Sequence, residues 1–473
     1  MTELVALLDG RQVGVVRQTR GRLSFEYADD WRMARGAYPL SLSMPLAGRA
    51  HGHAAIEPFL WGLLPDNEFV LARWGQRFQV SPRSAFALLG VVGEDCAGAV
   101  QFVRPDRLAV LSEPAAEAIA WLTEDDVAAR LRALQADASA GRSPRDTGQF
   151  SLAGAQPKTA LVFDGQRWGV PAGRMPTTHI LKPPSGMLDG QVENEHLCLA
   201  LGRALGLPTA RSILRRFDDV TAIVIERYDR VRITELAAAR AAEAAMHAAS
   251  DAPDFAAKAV AAAADAANLS AFARTTPIFR VHQEDFCQAL RVHPARKYQN
   301  DGGPGPRDIV ALLRAAASDA AGKRGQEIQS APDEDVATFL DALLFNWLIG
   351  GTDAHAKNYA LLIGGGGLVR LAPFYDLASI LGHPGIDPAK ARLAMKIGHS
   401  YRLHVIGLDD WRRLARDVRW DEGRLIDRLR EMARALPDAL ADEIAGLRAT
   451  GLAHPIIGRL EDGLVERARS VIP

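Results

Sequence analysis

Cysteine is scarce in this chain of 473 residues: Cys96, Cys198 and Cys287 stand far apart, in no ligand-like spacing. That argues against a zinc centre and fits a reducing compartment. Long apolar runs are missing too, and none approaches the ~20 residues that a bilayer span requires. The opening stretch Met1 to Asp9 has no basic n-region, and its apolar part is too short for a signal peptide. A cytoplasmic protein with no membrane partner is therefore expected. Neither sign of charge dominates, with 56 Lys plus Arg against 57 Asp plus Glu, so the whole-chain balance gives no electrostatic case for nucleic acid. The arginines around Trp411-Arg412-Arg413 alternate with Asp409, Asp410, Asp417, Asp421 and Glu422 and read as a solvated helix face. No G-x-x-x-x-G-K-[ST] run occurs, which excludes a Walker A loop.

What is present is ordinary globular material, 48% hydrophobic and 24% charged, in a length that allows two or three cores. Residues 1–105 read as a small α/β subdomain. Leu4 to Leu8, the Asp9-Gly10 turn and Val13 to Val16 predict a hairpin, Leu40 to Leu46 a further strand-like piece, and 57–75 and 83–90 helices. Residues 106–144 are expected to form a linker or helical connection. In 145–230, short strands (Lys158 to Phe163, Thr178 to Lys182, Ala222 to Tyr228) surround a helix from Glu193 to Leu205. Residues 231–280 hold an alanine-dominated insertion, interrupted by Pro253, which reads as a pair of exposed helices or a disordered segment. Residues 281–473 are mostly helical, with a strand-rich piece at 359–371. The fold class expected is α+β: a small N-terminal subdomain followed by a bilobal, kinase-like core with a mostly helical C-terminal lobe. The lobes would join near Glu226 to Arg230.

The chemistry concentrates at Gly350-Gly351-Thr352-Asp353-Ala354-His355-Ala356-Lys357-Asn358-Tyr359 and at Pro373-Phe374-Tyr375-Asp376. An aspartate, an asparagine five residues on and a later aspartate match the spacing of phosphoryl transfer: one acid accepts a hydroxyl proton while the other two groups hold magnesium on nucleotide phosphates. The spacing alone also fits an Asx-turn between a helix and a strand. Its setting adds weight. Val336, Phe339, Leu340, Leu343, Leu344, Trp347 and Leu348 mark one face of a helix, Gly350-Gly351 stops it, and 359–371 reads as a hairpin that returns Asp376 beside Asn358. Upstream, the small residues of Ser151-Leu152-Ala153-Gly154-Ala155-Gln156-Pro157-Lys158 could let backbone N–H groups approach a phosphate, although a plain turn would look the same. Lys182 ends a strand, as a phosphate-binding lysine does, and Glu195 on the next helix is its candidate partner.

Taken together, F-S-L-A-G-A-Q-P-K, T-T-H-I-L-K, E-R-Y-D-R, H-Q-E-D-F-C-Q-A-L, K-Y-Q-N-D-G-G-P-G, F-N-W-L-I-G-G-T-D-A-H-A-K-N-Y and L-A-P-F-Y-D-L resemble the HipA toxin family, serine/threonine kinases of type II toxin–antitoxin modules. P-L-S-L-S-M-P-L, L-L-P-D-N and G-E-D-C-A-G-A-V extend the likeness to the N-terminal unit, so it spans nearly the whole chain in order. The resemblance implies Asp353 as catalytic base, Asn358 and Asp376 on Mg²⁺, Lys182 on ATP phosphates, and the backbone of Leu152, Ala153, Gly154, Ala155 and Gln156 as phosphate loop. Glu226 and Tyr228 would form the adenine hinge, with Tyr375 also at the nucleotide. His355 and Lys357 would support the catalytic loop or neutralise phosphate charge. Ser151 would be an autophosphorylation site, whose phosphate would expel the loop and silence the enzyme. The alanine-rich insertion departs from the short connection expected after the hinge.

The resemblance further implies an aminoacyl-tRNA synthetase as substrate, glutamyl-tRNA synthetase in the best-known case, with arrested translation and dormancy as the outcome. It also implies a HipB-like helix-turn-helix antitoxin, with operator DNA reached mainly through that antitoxin. A rival reading is a catalytically weak corepressor that holds an antitoxin on DNA. A third, a metal-dependent hydrolase using Asp353, His355 and Asp376, lacks a ligand spacing such as H-E-x-x-H.

Overall fold

The computed structural model describes residues 2–112, 119–141, 151–172, 175–186, 188–232, 278–324, 331–452 and 454–471. The alanine-rich run 236–269 lies outside them. Strands β1 (Glu3–Leu8), β2 (Arg11–Thr19), β3 (Arg22–Tyr27), β4 (Ala50–Gly52) and β5 (Val100–Val103) form an antiparallel sheet in the order β4-β3-β2-β1-β5. Asp9 and Gly10 both take positive φ (46° and 77°), as the two central residues of a type I′ hairpin turn do. The helices His53–Gly62, Glu68–Phe78 and Ala85–Val92 belong to the same unit. Residues 40–46 are not a strand. Ser41 and Met44 make a single isolated bridge, the Ser41 and Ser43 hydroxyls bond each other, and the Leu42 amide donates to Glu284.

A second sheet contains β6 (Ile119–Leu122), β7 (Thr159–Phe163), β8 (Trp168–Pro171), β9 (His179–Lys182), β10 (Ser212–Phe217) and β11 (Val220–Glu226), in the order β10-β11-β9-β7-β8-β6. Part of the stretch read as a connection thus enters the sheet: β6 is its edge strand. The helix Glu124–Ala136, started by a Thr123–Asp126 capping box, covers one face with Val127, Ala128, Leu131 and Leu134. The period of two in β11 serves both faces, because Val220, Ala222 and Val224 meet that helix while Ile223 and Ile225 join the main core with Leu197 and Leu201. Those leucines lie on the helix Gln191–Ala204.

Strands β12 (Arg230–Arg232) and β13 (Ile278–Arg280) pair antiparallel and bring together the two ends that flank 233–277. The region expected to turn helical at 281 begins instead with β14 (His282–Asp285), which pairs with β15 (Ala360–Gly364), itself paired with β16 (Leu368–Leu371). Around them stand the helices Pro306–Arg324, Ala331–Ile349, Leu408–Asp417, Glu422–Ala449 and Ile456–Val471. All seven apolar positions read onto one face of the second of these are buried, and Gly350 ends it at φ +66°, a conformation cheap for glycine. A small antiparallel pair, β17 (Arg392–Ile397) with β18 (Ser400–Arg402), completes the sheets.

One apolar cluster runs from Leu4, Phe25 and Phe59 through Phe286 and Phe339 to Leu464. The N-terminal unit therefore shares its core with the helical lobe. Gln288 Nε2 donates to Phe59 O at 2.9 Å across that join. Among the described residues no helix is long and apolar enough to cross a membrane.

Candidate active site

Lys182 closes β9 with its side chain on the face opposite Leu181, and it is almost completely buried. Its Nζ lies 2.7 Å from Glu195 Oε1 and also bonds Asp376 Oδ1. Asp376 arrives from the other lobe because the chain before it is stitched to the segment that follows the Gln191–Ala204 helix. Phe374 N donates to Pro208 O at 2.7 Å, and Ala210 N donates to Phe374 O at 2.8 Å. Asp376 itself has φ +52°. Burial alone would raise its carboxyl, but the Lys182 and Lys158 ammoniums override that and hold it well below the usual carboxylate range. Burial likewise disfavours charge on Lys182, yet Asp376 and Glu195 keep it protonated beyond the ordinary lysine value.

The catalytic-loop candidates sit directly across. Asn358 Nδ2 donates to Asp353 O at 2.8 Å, which leaves Oδ1 as its acceptor. The Tyr298 hydroxyl donates to Asp353 Oδ1 at 2.5 Å. His355 is buried edge-on against the Tyr298 ring, with centroids 5.0 Å apart, and burial lowers its pKa to about 4. Its packing against Tyr298 suits the first of its two suggested roles, support of the loop's geometry. Lys357 Nζ bonds Asp66 Oδ1 at 2.5 Å, and Lys297 Nζ bonds Asp66 Oδ2 at 2.8 Å.

On the opposite wall runs the glycine-bearing loop. Gly154 has φ +101°, and a Cβ there would come within 2.6 Å of Lys158 Nζ. That ammonium donates to Ala153 O at 2.6 Å, and burial lowers its pKa to about 8. Ser151 is buried: its amide donates to Asp95 O at 2.9 Å and its hydroxyl to Leu63 O at 2.8 Å.

These walls enclose two adjoining cavities. One, of about 140 Å³, is lined by Leu152, Ala153, Lys182, Glu226, Tyr228 and Tyr375 among others; the second, about 390 Å³, by Ala155, Gln156, Asp353 and His355 among others. Both include Asp66, Gly154, Lys158, Asn358 and Asp376. At the hinge, the Glu226 amide donates to Arg211 O and the Arg227 amide to Thr178 O, so neither is left to read a base edge. The Tyr228 ring stacks on Tyr375 with centroids 6.1 Å apart, and the Tyr375 hydroxyl donates to Lys357 O at 2.7 Å. Every residue named from the sequence except Ser151 thus lies on the cleft or its immediate support. Sequence reasoning missed Asp66, Lys158, Lys297 and Tyr298 as site residues, although all four stand inside the motifs L-L-P-D-N, A-G-A-Q-P-K and K-Y-Q-N.

The donor set suits a nucleotide-bound divalent cation. A charged Asp376 and the Asn358 carbonyl oxygen line the same cavity wall, and hard oxygen donors in small number, completed by phosphates, are what Mg²⁺ takes. Among the described residues no group of three or more His, Cys, Asp or Glu side chains could hold a metal by itself.

A mixed lobe and a helical lobe, with a strand lysine held in the cleft between a helix glutamate and an aspartate of the far lobe, define a kinase-like α+β core. Comparison with known proteins agrees. The family model for the HipA N-terminal domain matches residues 4–103, and that for the HipA-like C-terminal domain matches residues 150–440. The provisionally named kinase Y4mE of Sinorhizobium fredii is 32% identical, covering 95% of this chain and 96% of its own. The serine/threonine-protein kinase toxin HipA of Shewanella oneidensis is 26% identical, covering 95% of each. In fold, the chain is similar to a Shewanella oneidensis HipA solved with HipB and operator DNA (TM-score 0.72, 24% identity, 99% and 97% covered). The chain belongs to the HipA family.

Proposed function

We propose that this protein is a Mg-ATP-dependent serine/threonine protein kinase acting as a toxin. The observation that carries the reading is the Lys182 ammonium shared between Glu195 and Asp376, one cavity wall away from Asn358 and Asp353. In this reading Lys182 and Lys158 bind the nucleotide's phosphates, and the Leu152 to Gln156 backbone wraps them. Asn358 and Asp376 would hold the magnesium, which supplies charge neutralisation on the phosphates. Asp353, fixed by Tyr298, accepts the proton of the acceptor serine; Tyr228 and Tyr375 flank the base. Lys357 faces the transferring phosphoryl group, while His355 braces the loop.

The acceptor is read as a serine of an aminoacyl-tRNA synthetase, glutamyl-tRNA synthetase first, with arrest of translation and persistence as consequences in the cytoplasm. A HipB-like antitoxin would neutralise the toxin and carry it to operator DNA, as the Shewanella complex supports. Ser151 is the site of self-phosphorylation in this reading. Its hydroxyl is buried against Leu63 O, so the loop must leave before it can be modified, and the dianionic product could not return to that niche.

The test is transfer of radiolabelled phosphate from ATP to a lysate and to the protein itself, with phosphopeptide mapping. Wild type should label one acceptor band and Ser151, and Asp353→Ala should label neither while still binding nucleotide. Full transfer by Asp353→Ala would overturn the mechanism. An inactive wild type that still binds the antitoxin would favour the corepressor reading.

A further inference from the structure

The N-terminal unit reaches into the catalytic cleft through one side chain. Asp66 sits in the short turn between the helices His53–Gly62 and Glu68–Phe78. Both ends of that turn are pinned. Leu63 and Leu64 amides donate back to Leu60 O and Trp61 O, and Asn67 caps the second helix by accepting from the Phe69 and Val70 amides. A carboxylate mounted this way has little freedom to follow its partners, so its partners must come to it.

Three segments do. The Asp66 amide donates to Gly154 O of the phosphate loop at 3.3 Å. Its two carboxylate oxygens take one ammonium each, Lys357 of the catalytic loop at 2.5 Å and Lys297 at 2.8 Å. Lys297 is itself tied to the reacting groups, since its carbonyl accepts the Ala356 amide at 3.4 Å and its neighbour Tyr298 holds Asp353. The side chains of Asp66, Lys297 and Lys357 are 13%, 17% and 3% exposed, so solvent screens the group poorly.

We propose, resting on the kinase reading above, that Asp66 is a positioning residue for phosphoryl transfer: it holds Lys357 and Lys297 together at the wall common to both cavities. Two ammoniums on one carboxylate leave a net positive charge there. Each ammonium has three N–H donors, and one is spent on Asp66. The remainder can turn to phosphoryl oxygens, where fixed cations matter most as charge develops. Burial opposes the Asp66 charge, but the two lysines override it and hold the carboxyl near 2, so the clamp stays ionised across working pH. The N-terminal unit is in this view part of the active site, and the core alone would have the lysines without their anchor.

The experiment compares full-length wild type, Asp66→Asn, Asp66→Glu, Lys297→Met and the Asp66→Asn/Lys297→Met pair. Labelling of the lysate acceptor is measured as a function of ATP concentration, alongside fluorescent-nucleotide binding and melting temperature. Asp66→Asn should lower kcat by about tenfold or more, the scale expected when a catalytic group is misplaced, with KM for ATP and nucleotide affinity little changed. Asp66→Glu should recover part of the rate. The double variant should be less impaired than the product of the singles, because Lys297 acts through the same carboxylate. A wild type that transfers phosphate beside an Asp66→Asn of equal kcat would overturn the inference and leave the kinase reading intact. So would a rate that falls only in step with melting temperature and nucleotide affinity, the behaviour of a simple domain contact. No transfer by wild type would remove both.

Discussion

Tyr298 donates its hydroxyl hydrogen to Asp353 across 2.5 Å, and the same ring packs edge-on against His355. Burial first, then the bond and charge of Asp353, push the phenol above its ordinary value. The bond orients the proposed base and occupies one of its oxygens. Tyr298→Phe removes only the hydroxyl. Hydrogen bonds to charged groups contribute roughly 1.5–3 kcal/mol, and Tyr298 is only half buried, so the lower end applies. The expected outcome is about a tenfold fall in phosphate transfer, with a melting temperature lowered by only a few degrees. An unaltered rate would remove Tyr298 from the mechanism.

Lys182 is paired with two carboxylates, and its structural part can be separated from the phosphate-binding role proposed for it. Lys182→Met leaves Glu195 buried without its counter-charge, a loss expected at about 3 kcal/mol or more. Adding Glu195→Leu should recover most of that stability in denaturant melts, because a buried pair replaced by apolar groups is often neutral. Neither variant should transfer phosphate. Activity in the double variant would show that the lysine serves packing alone.

Glu284 carries a pH signature. Burial raises its carboxyl to about 8, more than the bonds from the Leu42 amide, 2.7 Å from Oε1, and the Ser41 side chain lower it. A carboxyl raised in the folded state gives its stability in full below the unfolded value near 4.5 and loses it as pH rises through about 8. Glu284→Gln mimics the protonated form. It should melt higher than wild type at pH 8.5 and lose that advantage by pH 4.5. A difference between the two that does not vary with pH would refute the assignment.

How much of this was legible beforehand depends on how local each signal is. The buried face of Ala331–Ile349, its glycine stop, the Asp353-to-Asn358 spacing and the hairpin of β15 and β16 all act within a few tens of residues. Periodicity and turn chemistry therefore expose them. The piece at 40–46 misled because its alternating apolar pattern fits a strand, while its serines and the Leu42 amide bond each other and Glu284. Strand β14 was hidden for a related reason: His282 to Asp285 has polar residues throughout, three of them buried by neighbours distant in sequence.

The amino-acid order by itself determined the family, since long motifs in colinear order, among them the Asp353-to-Asn358 spacing and the strand lysine upstream, carry that likeness in sequence. Only the tertiary structure decided which further charges complete the cleft. Asp66 meets Lys297 and Lys357 from a different unit of the chain, through an ion cluster that exists only once three surfaces have packed. Periodicity reports which face of an element turns inward. It carries no information about which buried charge will be waiting there.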